Sequence, residues 1–308
     1  MRLGRAQVDG AARTVVVLGD GGPGAEAAVL PADAPSPDDV VREPAARDVV
    51  ARLAADAPRT VVDELALLVP LTRFNRDILC TGWNYWDHFE ESKGKREGQD
   101  PAERPARPTF FTKSPLTAIG PRDPIAFDPE LSGKWDYEAE LALVIGRAGR
   151  SIPEEKALDH VAGYLIANDV SQRDLQRAHG GQWLKGKSID GTMPLGPWVT
   201  TVDDVPDVHD LEIRFELDGT VLQSARTRQM AFSIGRIIAE LSSGMTLLPG
   251  DVVLTGTPSG IGNAREPQVF LEEGQELVTV VEHLGELRNR VERADLVRYR
   301  TDVVEQLA

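Results

Sequence analysis

The sequence contains very little cysteine, with one residue, Cys80, in a chain of 308. Because a single thiol cannot form an intramolecular disulfide, the composition gives no sign of an oxidising compartment. Cys80 lies within an apolar run at residues 78–82, which favours a small core residue over a nucleophile. The chain also lacks an apolar run near the roughly 18 residues of a membrane-spanning helix, and an apolar leader at its N-terminus. We therefore expect a soluble, cytoplasmic protein.

Positive charge is also scarce. The chain has 34 Lys and Arg against 49 Asp and Glu, a formal net charge of -15. Such a balance argues against nucleic acid and anionic membranes as partners, since both repel an acidic surface. The length allows one large domain, or a small domain followed by a large one.

The first seventy residues carry no recognisable chemistry. Residues 3–8 and 14–18 flank an Asp9-Gly10 turn signal, which predicts a β-hairpin. Ser36 begins a helix signal that Pro44 interrupts. We predict a small N-terminal domain at residues 1–71, used for packing or a subunit interface, and a catalytic domain at residues 72–308.

Acidic residues alternate with apolar ones just after residue 135. The period of two predicts a strand with Asp136, Glu138 and Glu140 on one face, which turns apolar two residues later. Three neighbouring carboxylates repel one another, and their desolvation costs several kcal/mol unless a cation lies between them. We interpret the pattern as a metal site, and the alternative is a solvated strand face.

A second strand is predicted at residues 163–168 and ends on Asp169, a further candidate ligand. Ser171 and Asp174 have the spacing of a capping box, which predicts a helical turn at residues 171–176. On that turn Arg173 and Gln176 share a face. The alternative is that Asp169 only pairs with Arg173.

A candidate general base follows the apolar run at 78–82. A short helix that starts at Asn84 or Asp87 would place His88 and Glu91 on one side. A carboxylate that orients an imidazole makes a base near neutrality, although a surface ion pair is the alternative. The charged residues 92–107 show no periodicity, which predicts a mobile loop and a candidate lid.

Lysines and glycines supply candidate contacts to an anionic substrate. Lys113 and Lys187 stand near turns, and either would neutralise a bound anion if it faced the site. The glycine-rich segment 256–262 has no lysine-serine pair and is not a phosphate loop. Its backbone amides are candidates to hold a carboxylate. His283, near the C-terminus, is typical of a surface or core histidine.

Several motifs occur in a fixed order along the chain: ILCTGWNYWDHFEE, PTFFTKSPLTAIGP, DYEAELALVIG, ANDVSQRDLQ, KSIDGTMPLGPW and PGDVVLTGTPSGIG. Together they resemble the fumarylacetoacetate hydrolase family over residues 72–292. The resemblance implies an α+β, β-rich fold, a mixed β-sandwich or roll with a few short helices. It also implies a homodimer.

The resemblance assigns roles to residues already singled out. The implied ligands of Mg²⁺ or Mn²⁺ are Glu138, Glu140 and Asp169. The implied catalytic residues are His88, Glu91 and Lys187. Arg173 and Gln176 are implied at a small anionic 2-oxo acid substrate, to which we add Lys113, Gly256 and Thr257 as substrate-binding candidates.

The residues and the resemblance agree on a hydrolytic mechanism. Oxygen ligands select a hard cation such as Mg²⁺, and His88 would activate a water. We expect cleavage of a carbon-carbon bond in a 2,4-dioxo acid of the acylpyruvate or fumarylpyruvate type, which gives pyruvate and a carboxylic acid. The same scaffold also implies isomerases, of the 2-hydroxyhepta-2,4-diene-1,7-dioate type, and decarboxylases of 2-oxo diacids. A remote alternative is a non-catalytic module that binds Ca²⁺ for structure.

Overall fold

The computed structural model describes residues 1–95 and 100–301. Part of the charged loop at 92–107, and with it part of the candidate lid, therefore lies outside the described residues. The N-terminal part has these elements: β1 Arg2–Val8, β2 Ala11–Val17, β3 Glu26–Val29, α1 Pro37–Arg42, α2 Pro44–Asp56, β4 Arg59–Val61 and β5 Ala66–Leu68, with a 3-10 helix Val62–Glu64.

The sequence predicted a hairpin turn and a helix interruption in this part, and only the first prediction is confirmed. The hairpin of β1 and β2 is confirmed, and Asp9 and Gly10 both have positive φ, 51° and 77°, as a tight hairpin turn requires. Pro44 was expected to interrupt a helix, but it begins α2. A proline at the first helical position loses no hydrogen bond, because that N–H has no partner inside the helix.

The rest of the chain is rich in strands. Its elements are β6 Ile78–Gly82, α3 Trp86–Glu91, β7 Thr109–Lys113, β8 Ala118–Ile119, β9 Ile125–Phe127, β10 Trp135–Asp136, β11 Ala139–Ile145, β12 Val161–Asn168, β13 Ser171–Gln172, α4 Arg173–Ala178, α5 Leu184–Lys187, β14 Met193–Thr201, β15 Glu212–Leu217, β16 Thr220–Arg226, α6 Ile234–Ser242, β17 Val252–Leu254, β18 Glu276–Val281 and β19 Gly285–Arg293. Short 3-10 helices connect them at Pro115–Thr117, Glu154–His160, Val202–Asp204, Val208–Asp210, Thr227–Gln229 and Gly262–Ala264.

Two sheets pack face to face. The larger has the order β4-β3-β2-β1-β14-β12-β11-β17-β6-β7, and the smaller has the order β16-β15-β18-β19-β9. Leu141 and Leu143 of β11 share one apolar cluster with Phe215 of β15 and Leu287 of β19, so this cluster fills the space between the sheets. The fold is α+β and β-rich, as expected.

The central strands of the larger sheet are buried on both faces. Ala142 and Val144 of β11 belong to a second cluster, which includes Cys80. Cys80 is fully buried, which confirms it as a core residue. Since side chains alternate along a strand, the face of Ala142 and Val144 also carries Glu140, at the start of β11. No helix in the described ranges has the length and apolarity to cross a bilayer.

Candidate active site

Three carboxylates meet where β11 begins and β12 ends. The antiparallel register pairs Glu140 with Ala167, and the backbone N–H of Asp169 donates to the carbonyl of Glu138 at 2.8 Å. One oxygen from each of Glu138, Glu140 and Asp169 lies within 4.8 Å of the others. The three residues are 5%, 1% and 0% exposed. The structure thus brings together the three ligands expected from the sequence.

Asp136 does not join this triad, contrary to the sequence expectation. The acidic run is not one strand, because β10 ends at Asp136 and β11 starts at Ala139. The Asp136 carboxylate instead accepts from the backbone N–H groups of Gly262 and Asn263, at 2.7 and 3.0 Å, and from Arg173 Nε at 2.8 Å. A break of two residues thus turns Asp136 away from Glu138 and Glu140.

Buried cations face two of the three triad carboxylates. Lys187 Nζ lies 2.7 Å from both Glu138 Oε2 and Asp169 Oδ2, and Arg173 Nη2 lies 2.7 Å from Glu138 Oε1. Burial alone would raise the pKa of Glu138, but the charges of Lys187, Arg173 and His88 lower it to about 2. Burial lowers the pKa of Lys187, while the charges of Asp169 and Glu138 more than offset that effect and raise it. Lys187 therefore stays an ammonium.

Glu140 is the triad carboxylate with the least compensation, since the charge of Lys187 lowers its pKa only in part. Its Oε2 accepts from the backbone N–H of Gly256 at 2.6 Å, and within residues 1–95 and 100–301 no lysine or arginine forms an ion pair with it. Burial raises its pKa well above the ordinary value, and the charges of Asp169 and Glu138 raise it further. An all-oxygen donor set with one only partly compensated buried carboxylate fits a hard divalent cation.

The dyad predicted from the sequence forms on α3. His88 Nδ1 lies 2.7 Å from Glu91 Oε1, and the ring of Trp83 stacks on the imidazole at 5.2 Å between centroids. The helix begins at Trp86 rather than at Asn84 or Asp87. Asn84 instead donates to the carbonyl of Thr255 at 2.7 Å, which ties the start of α3 to the end of β17. His88 Nδ1 is thus held by Glu91.

The glycine-rich segment holds carboxylates of the protein itself. Gly256 N–H donates to Glu140, and Gly260 N–H donates to Glu91 Oε2 at 2.7 Å. We expected Gly256 to face the substrate, but its amide is engaged by Glu140. Thr257 lines the site, and its hydroxyl accepts from Gln223 Nε2 at 2.8 Å. Its role in substrate binding stays a prediction.

Lys113 also differs from the expected substrate contact. It is fully buried, and its Nζ donates to Asp169 Oδ1 at 2.8 Å and to the carbonyl of Val170 at 2.9 Å. The lysine therefore lies behind Asp169 and orients that carboxylate.

The helical turn after Asp169 starts later than expected. Ser171 lies in β13 and donates to the carbonyl of Asp169 at 2.8 Å, so it does not cap a helix. The Asp174 carboxylate accepts from Ser132 Oγ at 2.6 Å. The helix α4 begins at Arg173, and Gln176 Oε1 accepts from Arg173 Nη1 at 3.1 Å. Arg173 and Gln176 still share a face, as predicted.

One cavity gathers most of these groups. Residues assigned above that line it are His88, Glu138, Glu140, Arg173, Gln176, Lys187 and Thr257. Sequence reasoning missed other lining residues, notably Thr81, Trp83, Phe111, Arg177, Trp183, Ile261 and Asn263. Apart from the position of Arg177 one turn after Arg173, no local signal in the sequence marks them. His283 lies in a surface turn and is not part of the cavity.

Similarity to known proteins shows the family of this chain. Residues 77–292 match the description "Fumarylacetoacetate (FAA) hydrolase C-terminal", and the chain belongs to the fumarylacetoacetate hydrolase family. It is 42% identical over 240 residues to the mitochondrial oxaloacetate tautomerase FAHD2A of Homo sapiens, which covers 78% of this chain and 73% of the relative. It is 39% identical over 230 residues to the oxaloacetate tautomerase YisK of Bacillus subtilis. This match covers 75% of this chain and 74% of the relative.

Solved structures of the family are similar over nearly the whole chain. A fumarylacetoacetate hydrolase from Exiguobacterium antarcticum has a TM-score of 0.79 and 34% identity, with 96% of this chain and 100% of that chain covered. A 2-hydroxyhepta-2,4-diene-1,7-dioate isomerase from Mycobacterium marinum has a TM-score of 0.72 and 31% identity, with 95% of this chain and 98% of that chain covered. A maleylpyruvate hydrolase from Sphingobium has a TM-score of 0.74 and 28% identity, with 96% of this chain and 100% of that chain covered. Isomerases and hydrolases thus share this fold.

Proposed function

We propose that the protein is a metal-dependent tautomerase that interconverts the keto and enol forms of a 2-oxo diacid such as oxaloacetate. The observation that carries the proposal is the buried triad, of which Glu138 and Glu140 line one cavity together with His88, the imidazole that Glu91 holds. The names of the human and Bacillus relatives support oxaloacetate as the substrate. Because these relatives are named as tautomerases, we propose tautomerisation instead of the hydrolysis that we expected from the sequence.

The metal site follows from the triad. Glu138, Glu140 and Asp169 would hold Mg²⁺ or Mn²⁺, and both ions accept oxygen ligands. When bound, the ion would supply positive charge beside the carboxylate and 2-oxo oxygens of the substrate, which makes the C3 hydrogens more acidic. Glu140 would gain the cation that the protein does not provide.

The dyad would move the proton. With Nδ1 of His88 directed at Glu91, Nε2 is the nitrogen that accepts a proton from C3 of the keto form. In the reverse direction the same nitrogen returns the proton to C3. The 2-oxo oxygen gains its proton from solvent, and His88 releases the C3 proton to solvent, so the reaction balances without a further reactant.

Lys187 would act as a fixed cation. Because its pKa is raised, it stays charged and does not compete with His88 as the base. A positive charge next to the oxygen on which negative charge develops stabilises the transition state. The carboxylates of Glu138 and Asp169 hold the ammonium in place.

Hydrolysis of a 2,4-dioxo acid is the second candidate. The dyad is placed to accept a proton from a water as well as from carbon, and the maleylpyruvate hydrolase has the same fold. Isomerisation and decarboxylation require the same stabilisation of negative charge but no attacking water. The homodimer implied by the resemblance is also a proposal, which light scattering would check.

The test follows the ultraviolet absorbance of enol oxaloacetate as keto oxaloacetate approaches equilibrium. We expect acceleration with Mg²⁺ or Mn²⁺, its loss with chelator, and a loss of roughly a hundred- to ten-thousand-fold in His88→Ala. His283→Ala is the matched control, since it removes a histidine outside the cavity and leaves the rate unchanged. An acylpyruvate is assayed in parallel for release of pyruvate. If the protein releases pyruvate from the acylpyruvate, and this release depends on the metal and on His88 while oxaloacetate is unaffected, the protein is a hydrolase and the tautomerase proposal is rejected.

A further inference from the structure

Helix α4 presents Arg173, Gln176 and Arg177 to the cavity. These side chains differ in how many of their polar groups already bind other residues of the protein. Each guanidinium nitrogen of Arg173 faces a partner: Nε lies 2.8 Å from Asp136, Nη1 lies 3.1 Å from Gln176, and Nη2 lies 2.7 Å from Glu138. A guanidinium binds a carboxylate best through two parallel N–H groups. Arg173 is thus held by three residues of the protein itself, so its role is to position Glu138 and Gln176.

Arg177 lies one helical turn after Arg173, on the same face of α4. It is half-buried and lines the same cavity as Glu138, Glu140 and Lys187. Among the residues that the structure describes, Arg177 has neither a hydrogen-bond partner nor an ion-pair partner, unlike Arg173 and Lys187. Within the described residues, this half-buried cation thus keeps its five donors for a ligand.

Aromatic side chains line the same cavity as this cation. Trp183 has its ring centroid 5.0 Å from that of Phe111 and 5.9 Å from that of Trp83. The indole lies over Gly82, where a Cβ atom would come within 2.6 Å of the ring. These closely packed rings form an apolar part of the cavity wall.

We infer that Arg177 binds the distal carboxylate of a short dicarboxylic 2-oxo acid. The inference rests on the proposed function for the other end of the substrate, where a cation held by Glu138, Glu140 and Asp169 would bind the 2-oxo carboxylate. It narrows the substrate class, because a monocarboxylic 2-oxo acid leaves Arg177 unpaired. Recognition of both carboxylates also orients C3 between the two ends, within reach of His88.

The test measures binding rather than turnover. Calorimetry on the Mg²⁺-loaded protein compares difluoro-oxaloacetate, which has no C3 hydrogen and cannot enolise, with oxalate, which chelates metal but has no distal carboxylate. In Arg177→Met we expect the affinity for the diacid to fall about 10- to 100-fold, and that for oxalate to change by less than about 2-fold. Arg177→Lys should recover part of the loss, since an ammonium pairs with a carboxylate at a single point.

Lys185→Met is the matched control, because it also removes one positive charge from the neighbouring α5 but lies outside the cavity lining. It should leave both affinities unchanged. Equal losses for diacid and oxalate in Arg177→Met, or no loss for either, would overturn the inference. A selective loss for the diacid in a protein that does not tautomerise oxaloacetate would retain the substrate class and reject the proposed reaction.

Discussion

As a single residue, Glu140 connects the proposed metal site with the stability of the fold. Its carboxyl group has a pKa well above the ordinary 4.5 because it is buried beside Asp169 and Glu138. A group whose pKa rises on folding stabilises the fold below its unfolded pKa, and that contribution is lost as the pH rises through the folded pKa. The metal-free protein should therefore lose stability above about pH 4 because of this one residue.

Glu140→Gln tests this account. Without metal, we expect the variant to be at least as stable as the wild type at neutral pH, because the amide cannot ionise. With Mg²⁺ the wild type should gain stability and the variant should gain little, because one of three charged ligands is missing. Thermal unfolding with and without metal, at pH 5 and at pH 8, measures both effects. A variant that gains as much from Mg²⁺ as the wild type would reject Glu140 as a ligand.

The predictability of the site residues follows from how local their causes are. Glu138 and Glu140 could be found because alternation is a local property, and Asp169 because it ends an apolar strand. Arg177 and Trp183 could not, because their role depends on the packing of α4 and α5 beside Phe111 of β7 and Gly82 of β6. Asp136 was wrongly joined to the triad, since the period of two cannot show where a strand breaks.

At the scale of elements, the glycine-rich segment connects separate parts of the site. Its amides hold Glu140 at Gly256, Glu91 at Gly260 and Asp136 at Gly262. The segment thus places a candidate metal ligand and the orienting carboxylate of the dyad on one backbone. A displacement at one end should therefore disturb both functions.

Gly262→Ala tests this connection. A methyl group at this position would overlap the carbonyl oxygen of Val269 and lie 2.8 Å from Asp136 Oδ1. We expect a loss of about 1–3 kcal/mol in the free energy of unfolding, as for overpacked sites, together with a lower rate and weaker metal binding. Urea unfolding and metal titration provide the measurements.

Gly133→Ala serves as its control. A Cβ atom there would have no atom within 4 Å, so the change in stability should stay within about 0.5 kcal/mol. If Gly262→Ala lowers stability but leaves metal affinity and rate unchanged, the segment is a structural connection only.

Element boundaries show the same limit of local reasoning. The strands at 78–82 and 163–168 and the first hairpin were predicted from patterns within each segment. Pro44 and Ser171 were misread because proline and serine each fit two structures: proline ends one helix or starts another, and serine caps a helix or lies in a strand. Tertiary contacts decide between them, as the pairing of Ser171 in β13 with Asp136 in β10 shows.

At the scale of the whole molecule, the N-terminal strands extend the larger sheet. Leu3 of β1 pairs with Val199 of β14, and β14 pairs in turn with β12. The first residues also form apolar clusters of their own, one of which includes Trp198 of β14. The division at residue 71 stays a prediction, but β14 depends on β1 to cover its edge.

Removal of residues 1–71 should therefore cause association. The deletion would expose the edge of β14 and the indole of Trp198, which is 3% exposed in the intact chain. An uncovered, apolar strand edge pairs with other chains. We expect aggregates in size-exclusion chromatography, where the intact chain elutes as a defined species. A well-behaved fragment that Mg²⁺ still stabilises would show that β14 needs no such cover.

The junction with β1 lies far from the chemistry. Thr200 of β14 pairs with Tyr164 near the start of β12, whereas Asp169 follows the end of that strand, about 17 Å away at the rise of an extended chain. Substitutions at the junction of β1 and β14 should thus leave the geometry of the cavity unchanged. For the same reason, a fluorophore at the Asp9-Gly10 turn would report on self-association of the protein without disturbing the candidate site.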